Sequence, residues 1–202
     1  MRNFCNIVTE ENKNQPYTPA VKSRQSEILE LVEKAADGDF EAFGEIYSIY
    51  MEPIFRYVFY QVKDRMTAED ITEEVFVKAW KAIKSCKGRG QTFSAWLYRI
   101  AHNHVINTLR RMQKRVSIER ENLIEVIDPK LEVEAELTRQ ELLEVITCLP
   151  ERQRQVIILK FIEGMDNREV AQVMGKKEGA VRVLQMRALL KLRQELSAET
   201  SR

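Results

Sequence analysis

The sequence predicts an all-α protein: two small helical domains joined by an acidic flexible linker, the C-terminal one a helix-turn-helix. Three observations predict it. Glycine and proline together number 12 of 202 residues, about 6% against the roughly 12% of average usage, too few for a turn-rich all-β chain. Apolar residues return at three- and four-residue steps through successive segments, the period of helices with one buried face. Segment starts carry Ser, Asp or Thr and segment ends carry Gly, which is helix punctuation.

The length allows one or two domains. With 32 basic and 31 acidic residues the formal net charge is +1, so the global balance names no partner. Apolar residues at 44% and charged residues at 31% make a soluble globular mixture. No apolar run approaches the ~20 residues of a membrane span, and the N-terminal stretch lacks a signal-peptide core, so no membrane insertion is expected. Cys5, Cys86 and Cys148 are isolated, odd in number and without a CxxC pair. That pattern fits a reducing cytoplasm rather than a disulfide framework.

Residues 1–25 are polar, hold two prolines and lack helical periodicity, which predicts a mobile tail. Ser26 is placed as the N-cap of a first helix burying Ile28, Leu31, Val32 and Ala35, with Gly38 as its stop. Asp39 caps a second helix whose Phe40, Phe43, Ile46, Tyr47 and Tyr50 share a face, and Pro53 is expected to kink or restart it. Thr67 followed by Asp70 has the form of a capping box before a third helix burying Ile71, Val75, Ala79, Trp80 and Ile83. A short glycine-rich basic loop leads to a fourth helix over 93–113. Residues 117–137 carry seven acids, two bases and Pro129 and form the expected linker. Further helices are expected near 133–148, 151–163, 167–174 and 177–197, separated by Pro150, Gly164 and Gly175, with 198–202 as a tail.

The near-zero net charge conceals segregation. Residues 27–81 hold 13 acids and 6 bases, whereas 92–116 hold five bases (Arg99, Arg110, Arg111, Lys114, Arg115) and no acid. Residues 176–193 hold six bases against the single Glu178. One basic helix is as often a solvated face as a binding surface. Two of them, one in each half, suit a protein that touches two stretches of nucleic acid.

The stretch NREVAQVMGKKEGAVRVLQMR over 167–187 has helix-turn-helix form. Small Ala171 lets a second helix cross closely, and Gly175 suits the left-handed turn position. Val181, Leu184 and Ala188 form the buried stripe of the second helix, leaving Lys177, Glu178, Arg182, Val183, Met186 and Arg187 outward. Such a helix sends side chains to base edges in a major groove while its flanking cations meet phosphates. An ordinary helical hairpin is the bland alternative.

TFSAWLYRIAHNHVINTLRR over 92–111 gathers Trp96, Tyr98, Arg99, His102, Asn103, His104, Asn107, Arg110 and Arg111. Aromatic platforms, amides and cations are the residue types that engage unstacked bases, although periodicity alone favours a core place for Trp96. The preceding loop, with Lys87 and Arg89, is placed to wall a pocket for a flipped base. His102 and His104 with Cys86 suggest a metal, but positions i and i+2 of a helix point to different sides, so neither metal nor cofactor is expected. No Ser/His/Asp or Cys/His arrangement, phosphate loop or acidic pair has a supporting context, so the chain is not expected to be an enzyme.

In order, DITEEVF, WLYRIAHN, LPERQRQV and the helix-turn-helix resemble the extracytoplasmic-function (ECF) sigma factors, over roughly 27–116 and 138–196. The resemblance implies a domain over 26–116 that docks on core RNA polymerase and reads the promoter −10 element. It implies a second domain over 138–197 that reads the −35 element. Carried over, Asp70, Ile71, Glu73, Glu74 and Phe76 are polymerase-binding residues. Lys87, Arg89, Trp96, Tyr98, Arg99, Asn103, His104, Asn107, Arg110 and Arg111 are −10 residues, with Asn103 at a pocket for a flipped base. Lys160, Arg168, Lys176, Lys177, Glu178, Gly179, Arg182, Val183, Met186 and Arg187 are −35 residues. Where the family commonly has Lys/Arg-Ser-Arg-Leu, this chain has Arg182-Val183-Leu184-Gln185, which removes two polar contacts. Implied partners are core RNA polymerase, promoter DNA and an anti-sigma factor; the acidic linker resembles the segment threaded through the polymerase's RNA exit path. The alternative on the residues alone is a stand-alone helix-turn-helix regulator with an N-terminal ligand or dimer module.

Overall fold

The structure, a computed structural model, describes residues 25–86, 92–118, 146 and 148–200. Among the described residues every regular element is helical and there is no strand. Helix α1 spans Gln25–Ala36 and buries Ile28, Val32, Ala35 and Ala36. Ser26 lies inside its first turn rather than capping it, a one-residue difference of the usual size at helix ends. Gly38, at φ 106°, ends the segment as expected.

Helix α2 spans Phe40–Val62, and the Asp39 carboxylate caps it, accepting from the Glu41 and Ala42 amides at 2.9 and 3.1 Å. The helix runs through Pro53 without a restart. A proline inside a helix costs about 3 kcal/mol; here Ile54, Tyr57 and Val58, all fully buried, pin the half that follows it. Lys63 takes the left-handed conformation at φ 62° and donates its N–H to the Phe59 carbonyl, which turns the chain into α3, Arg65–Ala82. Asp64 is the cap of α3, accepting from the Thr67 amide at 2.7 Å, and hydrogen bonding from the Thr67 side chain first, then from its amide, holds its carboxyl below the usual range. The expected Thr67–Asp70 box is therefore corrected: Thr67 supplies an orphan N–H of the first turn instead of closing it.

A 3₁₀ turn at Ile83–Cys86 precedes α4, Phe93–Ile118. Helix α4 outruns its expected end at Gln113 and takes in the first two residues of the expected linker. The rest of that linker and most of the helix expected at 133–148 lie outside the described residues, as do residues 1–24 and 87–91. Helix α5 spans Glu151–Ile157 and passes into a π turn, Ile158–Ile162, in which the Glu163 N–H reaches the Ile158 carbonyl at 3.0 Å. The single helix expected over 151–163 is thus divided. Helix α6 spans Asn167–Met174 as expected, and α7 spans Glu178–Thr200, three residues past its expected end.

Helices α1, α2, α3 and α4 pack in succession around Ile46, Val58, Val75, Ala79, Leu97 and Val105. Helices α5, α6 and α7 pack around Ile158, Leu159, Val170, Val181 and Ala188. The two groups meet where α4 lies on α6 and where α2 reaches α5 and the π turn.

Candidate nucleic-acid interface

Helix α4 carries two stripes of opposite character. Phe93, Leu97, Ala101 and Val105, four residues apart, are 4% exposed or less and hold it to the core. Arg99, Asn103 and Asn107, also four apart, continue into Arg110 and Arg111 on an exposed face. This face brings five of the expected −10 residues together as a row of amides flanked by cations, the chemistry for base edges and phosphates.

Trp96 and Tyr98 do not join that face. They are buried at 5% and 3%, Trp96 with its ring 5.5 Å from Phe93 and Tyr98 with its ring 5.4 Å from Tyr57. Burial removes both as stacking platforms, because their helical phase places them with Leu97 and Ala101. His104 is half-buried and its burial, then Lys78, lowers its pKa. In the neutral form its Nε2 donates to Glu74 at 3.1 Å while Nδ1 accepts from Lys78. An expected −10 residue and an expected polymerase residue are therefore bonded to each other. Lys87 and Arg89 lie outside the described residues.

His102 faces inward, its Nδ1 3.1 Å from the buried Tyr57 hydroxyl. Burial first, then the charges of Lys176 and Arg99, lowers its pKa to about 4. The sign follows from linkage. Below the ordinary 6.5 the unfolded chain binds a proton that the folded one refuses, so stability falls with pH through that window and levels off near 4. The loss is about 2 kcal/mol by pH 5. Urea unfolding at pH 7.5 and pH 5 should show this difference, and His102→Gln should shrink it; equal pH dependence in both proteins would place the titrating group elsewhere.

On α3, Asp70, Glu73 and Glu74 are exposed, whereas Ile71 and Phe76 are buried at 3% and 4%. The last two are corrected from contact residues to the core residues that hold the acidic face in position. Val77, 52% exposed, lies on the outward side of the same helix.

The helix-turn-helix forms as read. Asp166 and Glu169 close a reciprocal capping box on α6, and Gly175 takes φ 61° at its end. Val181 and Ala188 are fully buried and Leu184 is half-buried, while Lys177, Glu178, Gly179, Arg182, Val183, Met186 and Arg187 are exposed. Arg182 pairs with Glu178 at 3.6 Å within α7. Arg168, Lys176 and Lys177 line an open cleft of about 460 Å³ that Arg99 of α4 also faces. Lys160 sits in the π turn, half-buried, its pKa lowered by burial against the opposing pull of Asp166.

Sequence reasoning missed Glu163 and Glu169. Glu163, whose side chain is 4% exposed, accepts two hydrogen bonds from Arg56 at 3.2 Å each and one from the Tyr98 hydroxyl at 2.6 Å. Burial, then Glu163, drives the Tyr98 pKa well up, and the hydroxyl stays a donor. Glu169 accepts from the Thr92 hydroxyl at 3.0 Å. No signal within either segment announces pairs 65 to 107 residues apart.

Comparison with known proteins bears on the family. Sigma-70 region 2 matches residues 46–116, and Sigma-70, region 4 matches 139–192. The chain is 34% identical over 175 residues to the ECF RNA polymerase sigma factor BldN of Streptomyces coelicolor, covering 85% of this chain and 66% of BldN. It is 30% identical over 191 residues to the ECF RNA polymerase sigma factor SigD of Mycobacterium tuberculosis, covering 90% of this chain and 89% of SigD. The sigma factor RpoE of Bartonella quintana, solved with the anti-sigma factor NepR, shares the fold at a TM-score of 0.67 and 21% identity, over 77% of this chain and 96% of RpoE. The region 2 and region 4 matches in that order, with 30% identity to SigD over 90% of this chain, place the chain in the ECF RNA polymerase sigma factor family.

Proposed function

We propose that this chain acts as an alternative sigma factor in the cytoplasm: it binds core RNA polymerase, recognises −10 and −35 promoter elements and promotes DNA melting, without catalysing a reaction itself. The observation that carries the reading is the exposed Arg99–Asn103–Asn107–Arg110–Arg111 row on α4, paired with a second cationic helix, α7. Residues 26–116 form the polymerase and −10 unit, with Asp70, Glu73 and Glu74 toward the polymerase and the α4 row toward the nontemplate strand. Residues 138–197 form the −35 unit, with α7 in the major groove. There Arg182 and Arg187 meet phosphates or bases, and Val183 and Met186 supply apolar contact. An anti-sigma factor is the further partner, as RpoE of Bartonella quintana was solved with one.

Transcription from a genomic library by core polymerase plus this chain tests the function, and failure to initiate anywhere overturns it. The region 2 match over 46–116 occupies the place that a stand-alone regulator would give to a ligand or dimer module. Capture of core polymerase separates the two, since a regulator need not bind it. At the −35 duplex, Lys177→Ala with Arg187→Ala should lower the slope of log affinity against log salt by about 2, one for each lost phosphate contact. An unchanged slope in a salt titration would remove both from the phosphate contacts.

A further inference from the structure

We infer that Val183 and Met186 read the C5-methyl groups of two thymines in the −35 element, one or two base pairs apart, so that this part of the promoter is selected by apolar contact rather than by hydrogen bonds. The inference rests on the proposed sigma-factor reading and names the base chemistry that its −35 helix selects.

Position is the first support. Fully buried Val181 and Ala188 hold one side of α7, and the opposite side carries Val183, Met186 and Leu190 at 43%, 56% and 54% exposed. A single exposed aliphatic is ordinary. Three on one stripe, with Arg182 and Arg187 exposed beside them, form a continuous surface. Helix α7 begins at Glu178, so Val183 and Met186 fall within about its first two and a half turns. Those are the turns that a helix-turn-helix sends to base edges. Room to approach is the second support. Gly179 stands one turn before Val183 on the same side, and nothing lies within 4 Å of the place its Cβ would take. Without bulk there the helix can sink toward the groove floor, which a side chain as short as valine needs in order to touch a base.

Chemistry is the third. Valine has no hydrogen-bonding group in its side chain, and the methionine sulfur is only a weak acceptor. Neither can tell bases apart by donors and acceptors. On the major-groove edge the apolar group that distinguishes one base from the others is the thymine methyl. Arg182 and Arg187, to either side, reach phosphates and set the register, and the apolar pair then chooses the base. The spacing follows from the two helices. Three residues of α-helix rise about 4.5 Å, and successive base pairs about 3.4 Å, so the two methyls belong to pairs one or two steps apart.

The test uses core polymerase with the full chain, on duplexes selected from a library randomised at the −35 element. Replacing each selected thymine in turn by deoxyuridine removes the methyl and leaves the hydrogen-bonding edge intact. At two positions, one or two base pairs apart, the wild-type complex should bind closed duplex about fourfold more weakly, the worth of one buried methyl at ~0.8 kcal/mol. Val183→Ser should abolish the response at one position and Met186→Ser at the other. Thermal unfolding of both variants should match the wild type, since both side chains are exposed. A wild-type complex indifferent to deoxyuridine, or a response that survives in both serine variants, overturns the readout. Weaker capture of core polymerase by Val183→Ser, Met186→Ser and Leu190→Ser, with the deoxyuridine response unchanged, overturns it too and makes the stripe a protein-docking face. Failure of the wild-type chain to support initiation anywhere sinks the sigma-factor reading and the readout with it; initiation without a deoxyuridine response sinks the readout alone.

Discussion

Replacing Asp70 and Glu73 with lysine is expected to lower the affinity of the chain for core RNA polymerase by about 100-fold or more, with the fold intact. The two carboxylates sit one turn apart on the outward face of α3, and both are exposed. Their surroundings are acidic throughout, since residues 27–81 hold 13 acids and 6 bases, so the double reversal changes the local charge by four units at the centre of the face. Charge complementarity of this kind governs encounter rate and register, and a like-charge encounter costs several kcal/mol. The structure supplies the control. Ile71, on the same helix, is buried, so Ile71→Ala should lower stability by about 2–5 kcal/mol while leaving polymerase affinity of the folded fraction unchanged. Titration against fluorescently labelled core enzyme, beside thermal unfolding of each variant, separates the outcomes. Unchanged affinity in the double lysine variant would move the docking face off α3.

How far the sequence carried this picture depends on the range of the interaction that decides each point. Asp39 was legible as a cap because its carboxylate meets amides two and three residues away. The helix-turn-helix was legible for the same reason: its capping box, its left-handed Gly175 and its Val181–Ala188 stripe are all local. Asp64 and Thr67–Asp70 competed for the start of α3, and the winner was set by the reversal at Lys63, whose positive φ no lysine announces. Tyr98 was assigned by residue type and Trp96 was carried over with the resemblance although periodicity favoured the core; the 93–97–101–105 stripe gives the phase that puts both inside. Ile71 and Phe76 were carried over with a motif in which surface acids and core apolar residues alternate. Glu163 and Glu169 lay beyond any such reading, because their partners are on another part of the chain and only packing brings them together.

Asn103→Ala is expected to slow open-complex formation by about 100-fold while changing binding to closed duplex by much less. The side chain is exposed at the middle of the α4 row, one turn from Arg99 and one from Asn107. In the proposed role that amide pairs with a base that has left the stack. Unstacking costs a few kcal/mol, and one good base-edge pair returns about 1–3 kcal/mol. Removing the amide therefore acts on the melted state and leaves the duplex-bound state with its arginine–phosphate contacts. Arg110→Ala with Arg111→Ala should do the reverse, weakening both states together and flattening the salt dependence. The rigid inner stripe makes the comparison interpretable: Leu97, Ala101 and Val105 are fully buried, so none of the three substitutions disturbs what positions the helix. Permanganate reactivity of unpaired thymines reports melting, and filter retention on a duplex reports binding. Equal losses of Asn103→Ala in both assays would make Asn103 an ordinary groove contact and leave strand capture to another residue of the row.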